Sequence, residues 1–385
     1  MQNRLVSLLS LVILASSAVA QPREGNRGPQ QRGGSVPTEG VLDAGRLPDL
    51  QAFTEDGTPI SLRELASEGY LVLKSGCLTC PKFHASSREF EAAAVDYEPM
   101  GVTFYYFYKS LRHPELGGYV EAQNLEERLL HIKEARTNLG TRVPWIADSM
   151  DDSLRVGLRS GANSVYLVSP EGEIVYAAGE YDAEAFRDAL TKAVGEPKER
   201  TSVQDLNLPR LERNRQINET TDIRVERPVG MTILEIQPVS PEDTYYVKLR
   251  AEADRELLRS GGGKLFIGFY PDPIHGAKWN NLTSPMKYVL SAPDGSTVTP
   301  AEAVAHRGEG ETDTEPRQFM IDVSDLEPGA TMKLSLHYFG CTDDFCKPLT
   351  HEYLIRLAAE DRAASTFGFR GGERSGSRGR GDRQR

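Results

Sequence analysis

After its first twenty residues the sequence has no long hydrophobic run, and it carries less positive than negative charge. With 26% charged residues and a mean hydropathy of −0.45, the composition is not that of a multispanning membrane protein. The 39% of hydrophobic residues also exclude a wholly disordered chain. The net charge of −11 argues against a nucleic-acid partner for the folded part. At 385 residues, we expect a soluble protein with about two folded domains.

Cysteine is also scarce, with four residues in the whole chain. They form two close pairs, Cys77 with Cys80 and Cys341 with Cys346, which lie more than 250 residues apart. We expect each pair to belong to a different domain. No cysteine directly follows Ala20, where the N-terminal segment reaches a cleavage pattern, so the sequence is not that of a bacterial lipoprotein.

Residues 1–20 have the pattern of a secretory signal peptide, with Arg4 followed by an apolar run and by the small residues Ala18 and Ala20. The apolar run is too short to span a bilayer comfortably, and an uncleaved anchor helix is the alternative. We therefore expect an exported protein, periplasmic or secreted, without stable membrane insertion. Outside the cytoplasm, close cysteine pairs can form and keep disulfide bonds.

Composition divides the rest of the chain into folded and unfolded segments. Residues 21–46 are rich in Gly, Pro, Gln and Arg, and residues 361–385 form an Arg/Gly-rich tail. Neither has apolar periodicity, so we expect both to be disordered. Residues 197–222 are polar and charged without an apolar face, and we expect a linker there. The two predicted domains are residues 47–196 and residues 223–360.

Short apolar runs alternate with helical patterns through the first predicted domain. The patterns predict strands at residues 70–74, 102–108, 144–147, 164–168 and 173–178, and helices at residues 81–95 and 120–139, with Asp182 capping a last helix that ends at Val194. Parallel β-α-β units followed by a hairpin and a last helix are typical of an α/β three-layer sandwich of the thioredoxin type.

The second predicted domain has a different pattern, in which short strands are separated by Pro, Gly and Asp turns and no long helix is evident. The candidate strands are residues 232–236, 245–251, 264–269, 287–291, 318–322, 333–338 and 352–357. About seven short strands of this kind predict an antiparallel, immunoglobulin-like β-sandwich.

Cys77 and Cys80 stand where a predicted strand ends and a predicted helix begins, and Pro81 suits the first helical turn. A thiol at a helix N-terminus faces unpaired N–H groups and the positive end of the helix dipole, which favours its thiolate. The neighbouring cysteine, one turn away, can resolve a mixed disulfide. We therefore predict a redox-active pair, with a structural disulfide or half of a zinc site as the alternatives.

Four segments of residues 74–179 follow one known pattern in register. They are Cys-Pro-Lys-Phe at residues 80–83, Gln-Asn-Leu-Glu-Glu-Arg-Leu at residues 123–129, Pro-Trp-Ile-Ala-Asp-Ser-Met at residues 144–150, and the hairpin at residues 165–179. Together they resemble the iodothyronine deiodinases, which are reductive dehalogenases with a thioredoxin fold. Cys80 stands in place of the selenocysteine of those enzymes.

The resemblance implies that Cys80 attacks and that His113 matches a histidine that follows the aromatic strand, where it could hand a proton to a leaving group. An exposed turn histidine is the alternative for His113. Cys77 stands three residues before Cys80, which is the thioredoxin spacing and favours disulfide exchange. In thioredoxins the first cysteine attacks, so the two relatives differ on the nucleophile. We predict attack by Cys80 and resolution by Cys77.

Cys341 and Cys346 lie in a strand–loop–strand segment from His337 to Pro348. The segment resembles the cysteine hairpin in the exported N-terminal domain of the thiol:disulfide interchange protein DsbD, an immunoglobulin-like domain that passes electrons between thioredoxin-like partners. The resemblance implies an exchange-active bond and an internal relay to the first pair. The alternative is a structural disulfide that pins the loop.

The sequence thus predicts an exported thiol oxidoreductase, for which attack on a disulfide is favoured over reductive dehalogenation. The expected partner is a protein thiol or disulfide, or a small thiol reductant. No cofactor or metal is expected. The competing hypothesis is a non-catalytic interaction protein whose thioredoxin fold is a scaffold and whose disulfides are structural.

Overall fold

A computed structural model describes residues 45–111, 118–208, 225, 227–228 and 230–360. The predicted signal peptide, leader and Arg/Gly-rich tail lie outside the described residues, and so does His113. Within the described part, no helix combines the length and the apolar character needed to cross a membrane.

The first sheet has seven strands. In chain order these are β1 (Gln51–Thr54), β2 (Pro59–Ser61), β3 (Tyr70–Gly76), β4 (Val102–Tyr108), β5 (Trp145–Ala147), β6 (Val165–Val168) and β7 (Ile174–Ala178). The helices of this part are α1 (Leu62–Ser67), α2 (Pro81–Tyr97), α3 (Leu125–Leu139), α4 (Ser153–Gly157) and α5 (Ala183–Val194). The order across the sheet is β2-β1-β5-β4-β3-β6-β7.

Strands β3, β4 and β5 are parallel, and the β6–β7 hairpin continues the sheet antiparallel to β3. Side chains of β4 alternate between the two faces of the sheet. Tyr106 and Tyr108 join one hydrophobic core with α2, α3 and α5, whereas Phe107 joins a second core with α1 and α4. Helices therefore cover both faces, and the predicted three-layer α/β sandwich is confirmed.

The ends of two helices follow from capping residues. The sequence predicted a helix from residue 120, but α3 begins at Leu125 because the side chain of Asn124 accepts a hydrogen bond from the N–H of Glu127 at 2.9 Å. The helix ends at Gly140, whose φ of 64° is readily adopted by glycine. The predicted cap of α5 is confirmed, since Asp182 accepts from Ala185 N–H at 2.9 Å.

The second sheet has nine strands, all paired antiparallel, in the order β13-β16-β10-β9-β8-β18-β17-β12-β14, and a separate two-stranded ribbon pairs β11 with β15. These strands are β8 (Thr232–Pro238), β9 (Val247–Ala253), β10 (Gly263–Pro271), β11 (Trp279–Asn280), β12 (Lys287–Ser291), β13 (Thr297–Thr299), β14 (Glu302–Val304), β15 (Thr312–Asp313), β16 (Arg317–Ser324), β17 (Thr331–Cys341) and β18 (Cys346–Ala359). A short helix, α6 (Arg255–Ser260), joins β9 to β10. All seven predicted strands are present.

The predicted immunoglobulin-like sandwich is not confirmed, because the nine strands form one continuous sheet rather than two. Strand β8 pairs with β9 on one side and with β18 on the other, and so joins the two halves. The sheet curls until its distant strands meet: the ring of Tyr288 in β12 lies 6.0 Å from that of Phe269 in β10 and 4.9 Å from that of Phe319 in β16. The result is a nearly barrel-like β-structure around one core.

Helix α3 contacts the second sheet through polar groups. Lys248 of β9 forms a buried ion pair with Glu127, and Nε2 of His275 lies 3.2 Å from Oε1 of the same carboxylate. Asn124 Nδ2 donates to the carbonyl oxygen of Pro241 at 3.2 Å. The carboxylate of Glu127 therefore links the α/β part to the β part.

The first half of the predicted linker is described and packs on the α/β part. Thr201 N–H donates to Asp96 Oδ1 at 2.9 Å, and Arg142 donates to the carbonyl oxygen of Leu206 at 2.6 Å. Leu206 is buried. Residues 209–222 of the predicted linker lie outside the described residues.

Candidate functional site

Cys77 and Cys80 lie at the junction between the end of β3 and the start of α2. Cys80 is the N-cap of α2, and Pro81 is its first residue, where a missing N–H costs no helical hydrogen bond. Gly76 lets the end of the strand approach the helix, because a Cβ there would stand 2.6 Å from the ring of Phe83. The structure therefore confirms the predicted strand-to-helix position of the pair.

Both sulphur atoms are held inside the protein as thiols. Cys77 is fully buried, and Cys80 is 1% exposed. Cys77 Sγ lies 3.8 Å from Thr79 Oγ1. The Cys80 thiol donates to the carbonyl oxygen of Ala162 at 3.6 Å, in the loop before β6. Disulfide exchange at this pair therefore requires local movement of the residues that cover it.

The Cys80 thiol holds its proton tightly. Hydrogen bonding with Cys77, burial and the charge of Cys77 all raise the pKa of Cys80 far above that of an ordinary thiol. The backbone N–H of Phe83 and the charge of Lys109 act in the opposite direction. Cys80 is therefore a thiol that keeps its proton at neutral pH.

A buried tyrosine contacts the loop between the two cysteines. The N–H of Leu78 donates to the hydroxyl oxygen of Tyr108 at 3.5 Å, and that hydroxyl lies 3.1 Å from Nδ1 of His131. Nε2 of His131 has no hydrogen-bond partner among the described residues. Burial lowers the pKa of His131 to about 3, so its imidazole is neutral. The sequence pattern did not indicate this contact, because it joins β4 to α3 across the core.

Two further polar groups hold the helix and loops around the thiols. Lys74, fully buried in β3, donates to Ser86 Oγ at 2.8 Å, and Ser86 donates to Asn163 Oδ1 at 3.0 Å. Burial lowers the pKa of Lys74 well below its ordinary value. His84 of α2 contacts the carbonyl oxygen of Cys77 through Nε2 at 3.3 Å, and burial lowers the pKa of this imidazole.

Cys341 and Cys346 form a disulfide bond at the end of the β17–β18 hairpin, where they are directly opposite each other in the strand register. Cys341 is buried, whereas Cys346 is exposed. Asn280 Nδ2 lies 3.6 Å from the sulphur of Cys346. In the connecting loop, the ring of Phe345 packs 5.2 Å from that of Tyr246. The predicted pairing is therefore present, and one sulphur atom faces solvent.

The Gln-Asn-Leu segment has structural contacts in this protein. Asn124 caps α3, Glu127 joins the two sheets, and Arg128 is fully buried with NH1 3.0 Å from Asp152 Oδ1. Asp152 also accepts from Ser110 N–H at 3.2 Å, which fixes the chain that follows β4. The motif therefore positions the loops beside the thiols.

One cluster in the described part of the chain has metal-ligand chemistry, and it contains no cysteine. The ligand atoms of Glu127, Asp272 and His275 lie within 4.8 Å of one another. Lys248 already contributes a cation there, since its Nζ pairs with Glu127 and lies 3.5 Å from Asp272. The ammonium group lies against both carboxylates, so these contacts describe an ionic contact between α3 and the second sheet.

No family model matches the chain, and no curated protein matches it. Among solved structures, a thiol:disulfide interchange protein from Bacteroides sp. shares 20% identity over 41% of this chain and 95% of its own, with a TM-score of 0.33. The thioredoxin domain of a thiol-disulfide oxidoreductase from Bacteroides vulgatus shares 19% identity over 39% of this chain and 95% of its own, with a TM-score of 0.31. A putative thiol:disulfide interchange protein DsbE from Chlorobium tepidum shares 13% identity over 40% of this chain and 99% of its own, with a TM-score of 0.33. Part of this chain is similar to these proteins.

Proposed function

We propose that this protein is a thiol:disulfide oxidoreductase whose redox centre is Cys77 and Cys80. The observation that carries the proposal is the pair itself: two thiols at a strand-to-helix junction, of which Cys80 has a pKa raised mainly by its hydrogen bond with Cys77. A close pair of thiols of this kind offers one nucleophile and one resolving thiol.

We assign the first attack to Cys77, because the pKa of the Cys80 thiol is raised. This differs from the prediction based on deiodinases, in which Cys80 attacks, and it agrees with the thioredoxin order. The Cys77 thiolate attacks one sulphur of the partner's disulfide, the partner's S–S bond breaks, and the partner's other sulphur leaves as a thiolate. Cys77 is then joined to the partner in a mixed disulfide.

The second step follows from the first, because the mixed disulfide removes the main cause that raises the pKa of Cys80. Once Cys77 carries no charge and accepts no S–H hydrogen bond, the proton of Cys80 is lost more easily. The Cys80 thiolate attacks the sulphur of Cys77 and releases the partner's second thiolate. The partner gains two electrons and two protons, and the protein keeps a Cys77–Cys80 disulfide.

Three finer assignments belong to the same proposal. The pattern of residues 1–20 supports export. The deiodinase-like segments support reductive dehalogenation at the same thiols as the less favoured reaction. Two close cysteine pairs in one chain support an internal relay, in which Cys341–Cys346 exchanges electrons with the first pair.

Equilibration with redox buffers of known potential tests the function against the structural-disulfide alternative. Mass spectrometry of alkylated peptides reads the two pairs separately, and the double variant Cys77→Ser/Cys80→Ser is the control for the second pair. We expect Cys77–Cys80 to titrate at a potential above about −300 mV, the upper end of the range of structural disulfides. A midpoint below that value contradicts an exchange function.

A further inference from the structure

A cavity of about 720 Å³ lies beside the thiol pair, between the α/β part and the β part. This volume is within the range of small-molecule binding sites. The cavity is bounded on one side by the segment that follows β4 and by Gly161, and on the other by β8 and β9. Neither the sequence motifs nor the exchange chemistry accounts for a space of this size.

Two residues of the wall place the cavity next to the cysteines. Lys109 directly follows Tyr108, which pairs with Gly76 in the strand register, and Gly76 directly precedes Cys77. The charge of Lys109 also acts on the Cys80 thiol. Across the cavity mouth, Gly161 precedes the residue whose carbonyl oxygen accepts the hydrogen bond from Cys80.

Lys109 is a buried cation with no ion-pair partner among the residues that the structure describes. Its side chain lines the cavity, and the residue is 4% exposed. Within the described ranges, no carboxylate lies within salt-bridge distance of Lys109, and no hydrogen bond to its side chain is formed. A charge buried without a counter-charge is unfavourable unless an anion binds beside it.

The other cations of the wall already have partners of opposite charge, and the wall also contains the carboxylates of Glu121, Asp151, Glu252 and Glu360. The three other cations are paired: Lys248 with Glu127, Arg155 with Asp152, and Arg250 with Glu252. The carboxylate of Glu121 accepts from Leu111 N–H at 2.6 Å and lies 3.8 Å from Arg128. Among the described residues, Lys109 is thus the cation of this wall that is available to an anionic ligand.

Apolar residues also line the cavity. Met231, Ile233 and Ile236 on and beside β8 face the space together with Val120 and Leu249. A ligand that binds in this cavity would place an anionic group against Lys109 and an apolar part against these residues.

We propose that this cavity binds a small anionic organic disulfide with its carboxylate on Lys109. Neither cysteine lines the cavity, so the local movement that uncovers the thiols brings the S–S bond to Cys77. The proposal rests on the proposed exchange function and names the substrate class for the same thiols. Cys77 attacks one sulphur, the first carboxylate-bearing thiolate leaves, and Cys80 displaces the second. The disulfide is the oxidant, and it leaves as two thiols while Cys77 and Cys80 become a disulfide.

The test uses three disulfides of similar skeleton and different charge: dithiodipropionate, bis-hydroxyethyl disulfide and cystamine. The second-order rate constant of the fully reduced protein with each is divided by that of a free model thiol, which removes the intrinsic reactivity of each disulfide. We expect dithiodipropionate to react fastest after this correction and cystamine slowest. Because the protein has a net charge of −11, its overall field would favour cystamine, so the expected order requires a local cation.

The variant Lys109→Met should lower the preference for dithiodipropionate over cystamine by about tenfold, as for the loss of one charged contact. The rate constant with the neutral bis-hydroxyethyl disulfide shows any change in the reactivity of the thiolate itself. Lys109→Arg should keep the preference. Lys82→Met is the matched control, because Lys82 is an exposed cation on the first turn of α2 that pairs with Glu180 and does not line the cavity.

The outcomes separate this inference from the proposed function. Reaction of the wild type with all three disulfides at equal corrected rates overturns the anion site and leaves the exchange function standing, as does an unchanged preference in a folded Lys109→Met variant. No reaction with any of the three contradicts the exchange function. Because the wild-type series alone can overturn the inference, the test stands even if the Lys109→Met variant does not fold.

Discussion

The hydroxyl group of Tyr108 lies 3.1 Å from Nδ1 of His131 and also accepts, at 3.5 Å, the N–H of Leu78 between the two cysteines. Both side chains are buried, at 0% and 1% exposure. After burial, the nearby charge of Cys77 is the next largest cause that raises the pKa of Tyr108. One hydroxyl therefore ties the loop of the thiol pair to helix α3.

Removing that hydroxyl should destabilise the fold. Tyr108→Phe leaves a buried imidazole nitrogen and the Leu78 N–H without this partner, and we expect a loss of about 1–3 kcal/mol in the free energy of unfolding. Urea denaturation of the reduced protein measures it. Tyr105→Phe is the control, because Tyr105 is half-buried on the opposite face of the same strand. Equal effects of the two substitutions would contradict a specific role for the Tyr108 hydroxyl.

Removing one thiol should change the titration of the other. Because hydrogen bonding with Cys77 is the largest cause that raises the pKa of Cys80, Cys77→Ala should lower the pKa of Cys80. Burial remains, so the new value should stay above that of an exposed thiol. The pH dependence of alkylation by iodoacetamide, read at the Cys80 peptide, measures the shift. An unchanged or higher pKa in the variant would remove the basis for attack by Cys77.

The ionic contact between α3 and the second sheet should appear in the acid stability of the protein. Burial acts to raise the pKa of Glu127, but His275 and Lys248 lower it from 4.5 to about 2. A carboxylate whose pKa is lowered by folding stabilises the fold at pH values above its pKa in the unfolded chain. This contribution is lost as the pH falls from about 4.5 to 2. A shift of this size corresponds to about 3 kcal/mol.

Glu127→Gln tests this assignment. We expect a loss of about 3 kcal/mol at neutral pH, because Lys248 keeps only the longer contact with Asp272. The stability of the variant should fall less than that of the wild type between pH 4.5 and 2. Glu126→Gln is the matched control, since Glu126 is the exposed neighbour on the same helix. If both variants lose the same stability, the buried carboxylate does not join the sheets as described.

The disulfide at the end of the β17–β18 hairpin should stabilise the protein and, if it relays electrons, affect the exchange rate of the first pair. Its short loop gives an expected stabilisation of about 2 kcal/mol, which thermal unfolding of Cys341→Ser/Cys346→Ser measures. If the pair also relays electrons, the same variant should reduce or reoxidise Cys77–Cys80 more slowly than the wild type. A loss of stability with unchanged exchange rates would identify the bond as purely structural.

The sequence pattern predicted the strands well, because the apolar runs of β3, β4 and β6 follow directly from their burial in the protein. It could not show which strands pair. The sandwich prediction was not confirmed, since the double pairing of β8 depends on contacts between segments far apart in sequence. The start of α3 was misplaced because the periodic pattern continued through the cap at Asn124.

Within the candidate site, local sequence predicted the cysteines and their position before Pro81. The residues that set their environment come from elsewhere in the chain. His131 reaches Tyr108 from α3, and Lys109 owes its role to burial and to the cavity beside it. These are properties of tertiary packing and have no local sequence signal. His113, which the deiodinase resemblance suggested, lies outside the described residues.

The most direct test of the exchange mechanism is mass spectrometry of the two single-cysteine variants after reaction with bis-hydroxyethyl disulfide. We predict that Cys80→Ser accumulates a stable mixed disulfide between Cys77 and one half of the reagent. Cys77→Ser should form the corresponding adduct on Cys80 much more slowly. The wild type should release both halves of the reagent as thiols and form a Cys77–Cys80 disulfide. A faster adduct on Cys80 in Cys77→Ser would reverse the nucleophile, and the absence of adducts in both variants would contradict thiol–disulfide exchange at this site.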